Sequence, residues 1–488
     1  HEGGYTPFAM DATAALRPGE NHLVIRVRDS LDPRIPRGKQ SVTGAPFSIF
    51  YTPVSGIWQS VWLDTVGAAH IAELCVRADL RTGGVTFECS VSGEPGAYRI
   101  EAEIVGPAGN QFEEARDFTH IGAGAKPAAL RAAVPNPRAW SPADPALYRA
   151  RLALLDAAGR LHDAVETYFG FRAIEIRDGR ILLNGERLYQ KLLLNQGYFP
   201  QGHYTPAQWD DFRADVQQAR DMGFNGVRMH QKIENPKFLF WADALGLLVW
   251  EEMPSAFLWS GRMRAALRAQ WAEAVRRDRS HPCIIVWVPI NESWGVNNLI
   301  FSQAARAFVK EMADLTRELD PTRPVVDNSG FEHVDPDILD LHHYLGTAET
   351  ARRYYADLRD PANLEFKTSN VLGRLKVHEQ AVSPLAPGVK YNGQPLLISE
   401  YGGFGFYKNT EGKSLLDNFT EYTLDIARDD LFQGYAYTQQ YDTGLEQNGL
   451  LTFDRQPKIP LEHIAAVNEQ VDNIVHERWT RTREAARP

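Results

Sequence analysis

The chain has 488 residues, of which 44% are hydrophobic, 11% aromatic and 23% charged, a composition typical of a soluble globular protein. Its length exceeds what one compact core accommodates and predicts about two to four domains. The net charge of −10 is spread along the chain, which argues against a nucleic-acid surface because such a surface needs a basic patch. No apolar run reaches the ~20 residues of a membrane helix, so we expect neither nucleic acid nor membrane as a partner.

Three cysteines, Cys75, Cys89 and Cys283, exclude a disulfide scaffold because their number is small and odd. Cys75 and Cys89 can pair only if they face each other on neighbouring strands, and buried free thiols are the favoured interpretation. The sequence contains neither a CxxC nor an HExxH motif, so we expect no metal and no cofactor. No signal peptide is visible and the first residue is His1, which leaves the compartment undecided between cytoplasmic and secreted.

The first part of the chain is rich in predicted strands. Residues 1–66 contain the strand-like runs HLVIRVRD (22–29) and WQSVWLD (58–64), separated by Pro- and Gly-rich stretches. From residue 67 to residue 171, short runs follow at the spacing of a β-sandwich: IAELCVRADL, VTFECSVSG, AYRIEAEIVG, LYRARLALLD and HDAVETYFGF. We therefore predict two β domains, one over residues 1–66 and one over 67–171.

After Phe171 the pattern changes to apolar runs that alternate with amphipathic segments. The runs are YQKLLLNQ, FNGVRMH, GLLVWEEM, IIVWVPINE, RPVVDNS, DILDLHHY, PLLISEYGG and FQGYAYTQ. Helix candidates lie at 205–223, where Thr205 is expected to cap, and at 236–246, 262–279, 298–319, 415–430 and 461–478. This alternation predicts a (β/α)8 barrel over residues 172–488. A doubly wound open sheet is the alternative, but it requires a glycine-rich phosphate turn that the sequence lacks.

Polar residues end seven of the eight apolar runs, where a barrel carries its catalytic groups. They are Asn195, Arg228, His230, Glu251 or Glu252, Asn291, Glu292, His343, Tyr344, Glu400, Tyr437 and Gln439. Taken alone, an arginine here is more often an ion-pair partner and a histidine more often a hydrogen-bonded rim residue. A whole ring at one rim is hard to explain as core packing, and it predicts a functional mouth.

Glu292 and Glu400 end the strand-like runs VWVPINE and PLLISE, and burying a carboxylate there is costly. Two carboxylates at one barrel mouth suit glycoside hydrolysis, in which one protonates the leaving oxygen and the other attacks the anomeric carbon or activates water. Asn291 can donate to the sugar 2-hydroxyl, and Tyr344 can donate to Glu400 and hold it as the anion. Adjacent strand residues face opposite ways, so His342 and His343 cannot easily share one metal ion.

Several strings together resemble glycoside hydrolase family 2, which includes β-galactosidases, β-glucuronidases and β-mannosidases. HEGGYTPF and GIWQSVWLD are similar to the later half of its N-terminal jelly-roll sugar-binding domain, and GFRAIEIRDGRILLNGERL to its junction from an immunoglobulin-like domain into the barrel. RSHPCIIVWVPINESWG resembles the acid/base signature, and SEYGG resembles the nucleophile strand. The resemblance implies a partial jelly-roll β-sandwich over 1–66, an immunoglobulin-like β-sandwich over 67–171 and a catalytic (β/α)8 TIM barrel over 172–488.

The resemblance also implies roles for individual residues. Glu292 is expected to be the general acid/base and Glu400 the nucleophile, with net retention of configuration. Asn291 takes the 2-hydroxyl role, and Tyr344 matches the tyrosine beside the nucleophile. Substrate-binding positions of the family match Arg228, His230 and Tyr437. Many members have a tryptophan at the position of Tyr437.

Two departures from the family pattern bear on activity and on the sugar. Roughly 60–100 residues of a family member's first domain are expected ahead of HEGGYTPF, so we predict open strand edges, exposed apolar faces and weakened activity. β-Glucuronidases carry an Asn-x-Lys element that grips the uronate, whereas Glu446 and Asn448 stand at these positions here. A glutamate repels a uronate, which favours a neutral sugar and a β-galactoside first.

Other functions stay open at this point. A β-glucuronidase, an arabinosidase or a galactofuranosidase fits the same family. A catalytically weak carbohydrate-binding fragment is an alternative of another class, although a binding protein has no need of both carboxylates. We expect a carbohydrate substrate as the partner and, because symmetric dimers and tetramers are common in the family, a homo-oligomer.

Overall fold

The computed structural model describes residues 1–109, 111–120, 126–344, 346–367 and 383–485, with side chains for all of these except 113–120 and 482–485. Throughout 1–66, backbone pairing consists of isolated bridges such as Gln40 with Tyr51. The runs 22–29 and 58–64 do not form the strands that their polarity predicts, because no described segment runs alongside them. Their apolar side chains are exposed; Val24 is 88% exposed and Trp62 is 73% exposed.

Two antiparallel sheets follow and pack face to face around a shared apolar core, as the β-sandwich prediction requires. One contains β1 (Ala69–Asp79), β2 (Gly84–Gly93) and β5 (Ala128–Ala133); the other contains β3 (Gly96–Val105), β4 (Gln111–His120), β6 (Tyr148–Asp156) and β7 (Leu161–Phe169). In β3, buried Ile100 and Ala102 alternate with exposed Arg99 and Glu101, which is the period of a half-buried strand.

The cysteines confirm the prediction of buried free thiols. Cys75 and Cys89 lie on the neighbouring strands β1 and β2, but they are out of register. Cys89 lies opposite Leu74, whereas Cys75 lies opposite Glu88. The third thiol, Cys283, is fully buried beneath the barrel strands.

A small antiparallel sheet of β8 (Ile174–Arg177), β9 (Arg180–Leu183) and β10 (Glu186–Arg187) precedes the TIM barrel. The barrel's parallel strands are β11 (Gln190–Asn195), β12 (Gly226–Met229), β13 (Leu248–Glu252), β14 (Ile284–Val288), β15 (Leu339–His343), β16 (Leu396–Gly402) and β17 (Phe432–Thr438), in the order 14-13-12-11-17-16-15. Seven of the eight predicted runs are thus strands. The fifth run, 323–329, pairs with the β14 segment only through the bridges Trp287–Val325 and Asn291–Ser329.

The helices cover the outside of the strands. They are α1 (Asp210–Asp221), α2 (Pro236–Leu245), α3 (Gly261–Asp278), α4 (Gln303–Leu319), α5 (Ala348–Asp357), α6 (Pro361–Leu364), α7 (Leu415–Arg428) and α8 (Leu461–Ala485). The prediction for α2 is confirmed: Asn235 caps it, and Gly246 ends it in a left-handed conformation. The prediction that Thr205 caps α1 is wrong, because the Thr205 hydroxyl instead donates to the Trp58 carbonyl oxygen at 2.7 Å.

The barrel strands are buried along their whole length, so their interior polar residues are protected from bulk water. Apolar side chains fill the middle of the barrel, and polar side chains collect at the carboxyl ends of the strands. Among the helices of the described chain, none combines the length and apolar character that crossing a bilayer demands.

Candidate active site

The two glutamates singled out from the sequence converge at the mouth of the barrel. Glu400 lies within β16, and Glu292 follows β14. An oxygen of each carboxylate lies within 4.8 Å of the other and of a nitrogen of His342. The backbone at Glu292 and Ser293 is left-handed, with φ of 48° and 59°, a conformation that non-glycine residues rarely adopt. This turn aims the Glu292 side chain at the mouth of the barrel.

Glu400 is held by two strong donors. Arg228 on β12 donates from Nη1 to Oε1 at 2.7 Å, and the Tyr344 hydroxyl donates to Oε2 at 2.5 Å. Arg228 is fully buried and also donates from Nε and Nη2 to Glu252 Oε2, at 2.9 and 2.6 Å. Burial lowers the pKa of Arg228, but the charges of Glu252 and Glu400 outweigh burial and raise it above the ordinary value. The guanidinium therefore stays charged and stabilises negative charge on Glu400.

Glu292 is paired with His342 on β15. His342 Nδ1 lies 2.7 Å from Glu292 Oε1, and one fifth of the Glu292 side chain is exposed. Burial raises the pKa of Glu292, but the hydrogen bond and charge of His342 outweigh burial and hold it below the usual value. Burial likewise lowers the pKa of His342, but the charge of Glu400 and the contact with Glu292 outweigh it and raise the pKa. The pair therefore favours a carboxylate on Glu292 in the unliganded site.

Asn291 and His230 lie beside the groups that hold the carboxylates. Asn291 Oδ1 accepts from Arg228 Nη2 at 2.6 Å, whereas its buried Nδ2 finds no hydrogen-bond partner in the described structure. His230 Nδ1 lies 3.0 Å from Glu252 and 3.8 Å from Glu400. Burial holds the pKa of His230 well below its ordinary value, so the ring is neutral. The unpartnered amide is suited to donate to a bound ligand.

The other predicted substrate-binding residues form the wall beside the pair. Tyr437 on β17 is buried, and its hydroxyl lies 3.4 Å from the Asn448 carbonyl oxygen. Glu446 is also buried; its Oε1 accepts from the Tyr407 hydroxyl at 2.9 Å and from Asn448 Nδ2 at 3.3 Å. The Tyr51 hydroxyl donates to Glu446 Oε2. The wall is therefore braced by a carboxylate whose oxygens already accept several hydrogen bonds.

Sequence reasoning missed part of this site. The rule that adjacent strand residues face opposite ways holds: His342 faces the carboxylates, while the His343 ring bonds to the Tyr355 hydroxyl. The sequence prediction that His343 belongs to the ring at the mouth is wrong, because its neighbour His342 is the one that faces the carboxylates. The sequence also gave no sign that Lys39, in a Pro- and Gly-rich stretch, reaches this wall, where its Nζ lies 3.6 Å from Glu446 Oε2.

Three donor groups could in principle hold a cation: those of Glu292, His342 and Glu400. The positively charged Arg228 competes for the same atoms, because its Nη1 lies 2.7 Å from Glu400 Oε1 and 3.0 Å from His342 Nε2. A guanidinium at this distance repels a metal ion. The arrangement is better suited to acid–base and nucleophilic chemistry by the two carboxylates.

Comparisons with known proteins identify the family of this chain. Residues 174–473 match the family model described as "Glycosyl hydrolases family 2, TIM barrel domain", and residues 69–172 match that of "Glycosyl hydrolases family 2". A putative β-glucuronidase of Formosa agariphila is 28% identical over 350 residues, which cover 68% of this chain and 40% of the relative. A β-galactosidase of Thermoanaerobacter pseudethanolicus is 29% identical over 334 residues, which cover 66% of this chain and 42% of the relative.

Solved structures share the fold. Bacteroides uniformis β-glucuronidase 2, covalently bound to cyclophellitol-6-carboxylate aziridine, has a TM-score of 0.69 at 18% identity, covering 85% of this chain and 53% of that one. The β-galacturonidase of Eisenbergiella tayi bound to galacturonate has a TM-score of 0.68 at 20% identity, and the match covers 89% of this chain and 78% of that one. The chain spans less than half the length of the two curated relatives above. Because the TIM-barrel model alone matches more than half of its residues, the chain belongs to glycoside hydrolase family 2.

Proposed function

We propose that this protein is a retaining, exo-acting glycoside hydrolase that removes a terminal β-linked neutral sugar, with Glu400 as nucleophile and Glu292 as general acid/base. The observation that carries the proposal is the convergence of the two carboxylates, with an oxygen of each within 4.8 Å of the other. Retaining enzymes place their carboxyl groups about 5–5.5 Å apart, whereas inverting enzymes need roughly 6.5–9.5 Å to admit a water. The close approach supports double displacement.

In the first step, a carboxylate oxygen of Glu400 attacks the anomeric carbon while Glu292 gives its proton to the glycosidic oxygen. The carbon–oxygen bond to the aglycone breaks, and the aglycone leaves as an alcohol. In the second step, Glu292 takes a proton from water, and the resulting oxygen attacks the same carbon and displaces Glu400. Two inversions give net retention. The unpartnered Asn291 Nδ2 is placed to donate to the 2-hydroxyl, a contact that strengthens as positive charge develops on the ring.

The first step needs a proton on Glu292, whereas the unliganded site favours its carboxylate. One fifth of the Glu292 side chain is open to solvent, and a bound sugar covers this side. Removing water from a carboxyl group raises its pKa. Substrate binding thus moves Glu292 towards the protonated form. Glu400 keeps its guanidinium and phenol donors and remains the group suited to attack as the anion.

A β-galactoside is the first candidate substrate. Glu446 replaces the asparagine of the uronate-gripping element, and its negative charge lies buried in the wall beside the carboxylate pair. A uronate carboxylate in this wall is opposed by like charge in a site with little water. A β-glucuronide is the second candidate, because the Formosa agariphila relative is named a putative β-glucuronidase. The named β-galactosidase relative supports the first candidate.

The roles of the carboxylates are tested by covalent labelling and by substitution. A 2-fluoro glycoside is expected to label Glu400, and mass spectrometry of the peptides locates the label. We expect Glu400→Gln to lose turnover of nitrophenyl glycosides. Glu292→Ala is expected to lose activity on poor leaving groups, with partial rescue by azide on a good one. A label on another residue, or equal rates for wild type and Glu400→Gln, would refute the assignment.

The sugar is tested with a panel of nitrophenyl β-glycosides that share one leaving group and differ only in the glycone. The galactoside is expected to give the highest kcat/KM, ahead of the glucuronide, the arabinoside and the galactofuranoside. A glucuronide preference would replace the first candidate by the second. Binding of sugars without turnover of any panel member would identify a carbohydrate-binding fragment instead.

A further inference from the structure

A lysine far from the barrel in sequence has its ammonium group in the wall of the candidate active site. Lys39 is only 5% exposed, yet Nζ makes no hydrogen bond with any part of the chain that the structure describes. The nearest carboxylate oxygen is Glu446 Oε2, at 3.6 Å. The ammonium group also lies 5.5 Å from the ring centroid of Tyr51 and 5.9 Å from that of Trp294. The ammonium group therefore has one ion-pair partner among the described residues, and its three donor protons can be offered to a ligand.

The backbone around Lys39 is fixed on the loops that follow two barrel strands. The amides of Arg37 and Gly38 donate to the Ser255 carbonyl oxygen at 2.9 and 3.0 Å. Gly38 has a φ of +59°, and a Cβ at this position would lie 2.1 Å from the Gln231 carbonyl oxygen. Only glycine permits this close approach. The position of Lys39 is therefore set by the barrel and does not depend on an exposed, unanchored loop.

A chain of contacts links Lys39 to the reacting groups. The charge of Lys39 contributes to the electrostatic environment of both Glu292 and His230. Tyr407 connects the two regions: its hydroxyl donates to Glu446, and its ring centroid lies 4.7 Å from that of Tyr344, which bonds to the nucleophile. The lysine and the nucleophile thus lie at the two ends of one chain of contacts, through Glu446, Tyr407 and Tyr344.

Glu446 already accepts three hydrogen bonds. Its two oxygens accept from Tyr407, Asn448 and Tyr51, and the remaining acceptor position faces Lys39. Most of its acceptor capacity is therefore used within the protein. Its remaining effect is electrostatic, because it balances the positive charge of Lys39.

We propose that Lys39 binds hydroxyl oxygens of the terminal sugar, and that Glu446 balances its charge so that the site prefers a neutral glycone to a uronate. This inference rests on the proposed function, whose sugar subsite it completes. A uronate beside Lys39 shares this one cation with Glu446, so two carboxylates compete for it. A neutral hydroxyl accepts the free ammonium protons without adding charge.

The first test removes the ammonium group. In Lys39→Met, Glu446 keeps its three other donors, so the fold is expected to remain, as checked by thermal unfolding. We expect KM for the preferred neutral nitrophenyl glycoside to rise roughly 10-fold or more, the size of a lost charge-assisted hydrogen bond. The matched control is Lys191→Met, which removes a buried lysine from the opposite end of a barrel strand. Its KM is expected to stay within twofold of wild type.

The second test changes the charge and keeps the shape. Glu446→Gln leaves an uncompensated Lys39, and the ratio of kcat/KM for the glucuronide to that for the neutral glycoside is expected to rise about 10-fold. Adding Lys39→Met to this variant is expected to return the ratio towards wild type. A KM unchanged in Lys39→Met, or a ratio unchanged in Glu446→Gln, would overturn the inference.

Failure here is distinguishable from failure of the proposed function. The 2-fluoro glycoside label on Glu400 is measured in the same variants. If Glu400 is labelled while both Lys39 and Glu446 variants keep wild-type sugar preference, the double-displacement mechanism stands and the role of Lys39 is refuted. If the label is absent from Glu400 in wild type, the proposed function itself fails.

Discussion

Removing one hydroxyl group tests how the proposed nucleophile is held. In Tyr344→Phe, Glu400 Oε2 loses its donor at 2.5 Å, while Oε1 keeps Arg228 at 2.7 Å. The phenylalanine ring can keep the packing against Tyr407, whose centroid lies 4.7 Å away. A hydrogen bond to a charged group contributes about 1.5–3 kcal/mol. Since about 1.36 kcal/mol changes a rate tenfold, we expect kcat to fall about 10- to 150-fold.

The assay is saturated turnover of the preferred nitrophenyl glycoside, with a chromogenic leaving group that reports kcat directly. Tyr401→Phe is the matched control, because it removes a buried hydroxyl from the residue beside Glu400. That hydroxyl lies 2.5 Å from Thr423 Oγ1 on α7, outside the strands. The control is expected to lose about 1 kcal/mol of stability and to keep kcat within twofold. A folded Tyr344→Phe variant with wild-type kcat would refute the reasoning.

Three further changes test the charges and the backbone that support the site. Arg228→Met leaves the buried carboxylates of Glu252 and Glu400 without their cation, and it is expected to lower the free energy of unfolding by about 3–5 kcal/mol. Urea unfolding measures this value, and an unchanged value contradicts the role of the ion network. His333 is buried between two aspartates; burial lowers its pKa, but these partners outweigh burial and raise it from 6.5 to about 10. Its contribution to stability is therefore complete below pH 6.5 and lost as pH rises towards 10, and His333→Gln is expected to flatten that part of the pH–stability curve. Gly38→Ala forces a methyl group against the Gln231 carbonyl oxygen and is expected to raise KM several-fold. Gly44→Ala is the control for backbone strain alone, because Gly44 also has a positive φ but an added Cβ there would have its nearest neighbour 3.6 Å away.

The sequence predicted those parts of the molecule that depend on local pattern. Seven barrel strands follow from apolar runs bounded by glycine, proline and polar residues. The strand-end positions of Glu292 and Glu400 predicted that they meet, because parallel strands bring their carboxyl ends to one rim. The α2 boundaries followed from a proline at the start and a glycine at the end.

What the sequence did not predict depends on contacts between distant segments. Thr205 does not cap α1, which begins at Asp210; its hydroxyl donates to the carbonyl oxygen of Trp58, which lies 147 residues earlier. Lys39 reaches Glu446 through a docked segment whose local sequence resembles an ordinary loop. The runs 22–29 and 58–64 have strand polarity, but a strand needs a neighbour, and sequence pattern alone does not supply one. The domain boundaries at 66 and 171, the assignment of the site residues and a homo-oligomer stay predictions.

The segment from Arg37 to Tyr51 has a consequence for how this enzyme family can be altered. The atoms proposed to break the bond belong to the barrel, whereas Lys39 and Tyr51 belong to a stretch more than 200 positions earlier in the chain. In the proposal, glycone selectivity is thus shared between this segment and Glu446 of the barrel, which meet only after folding. Exchanging that short stretch together with residue 446 is therefore expected to change the proposed glycone preference while both reacting carboxylates stay in place.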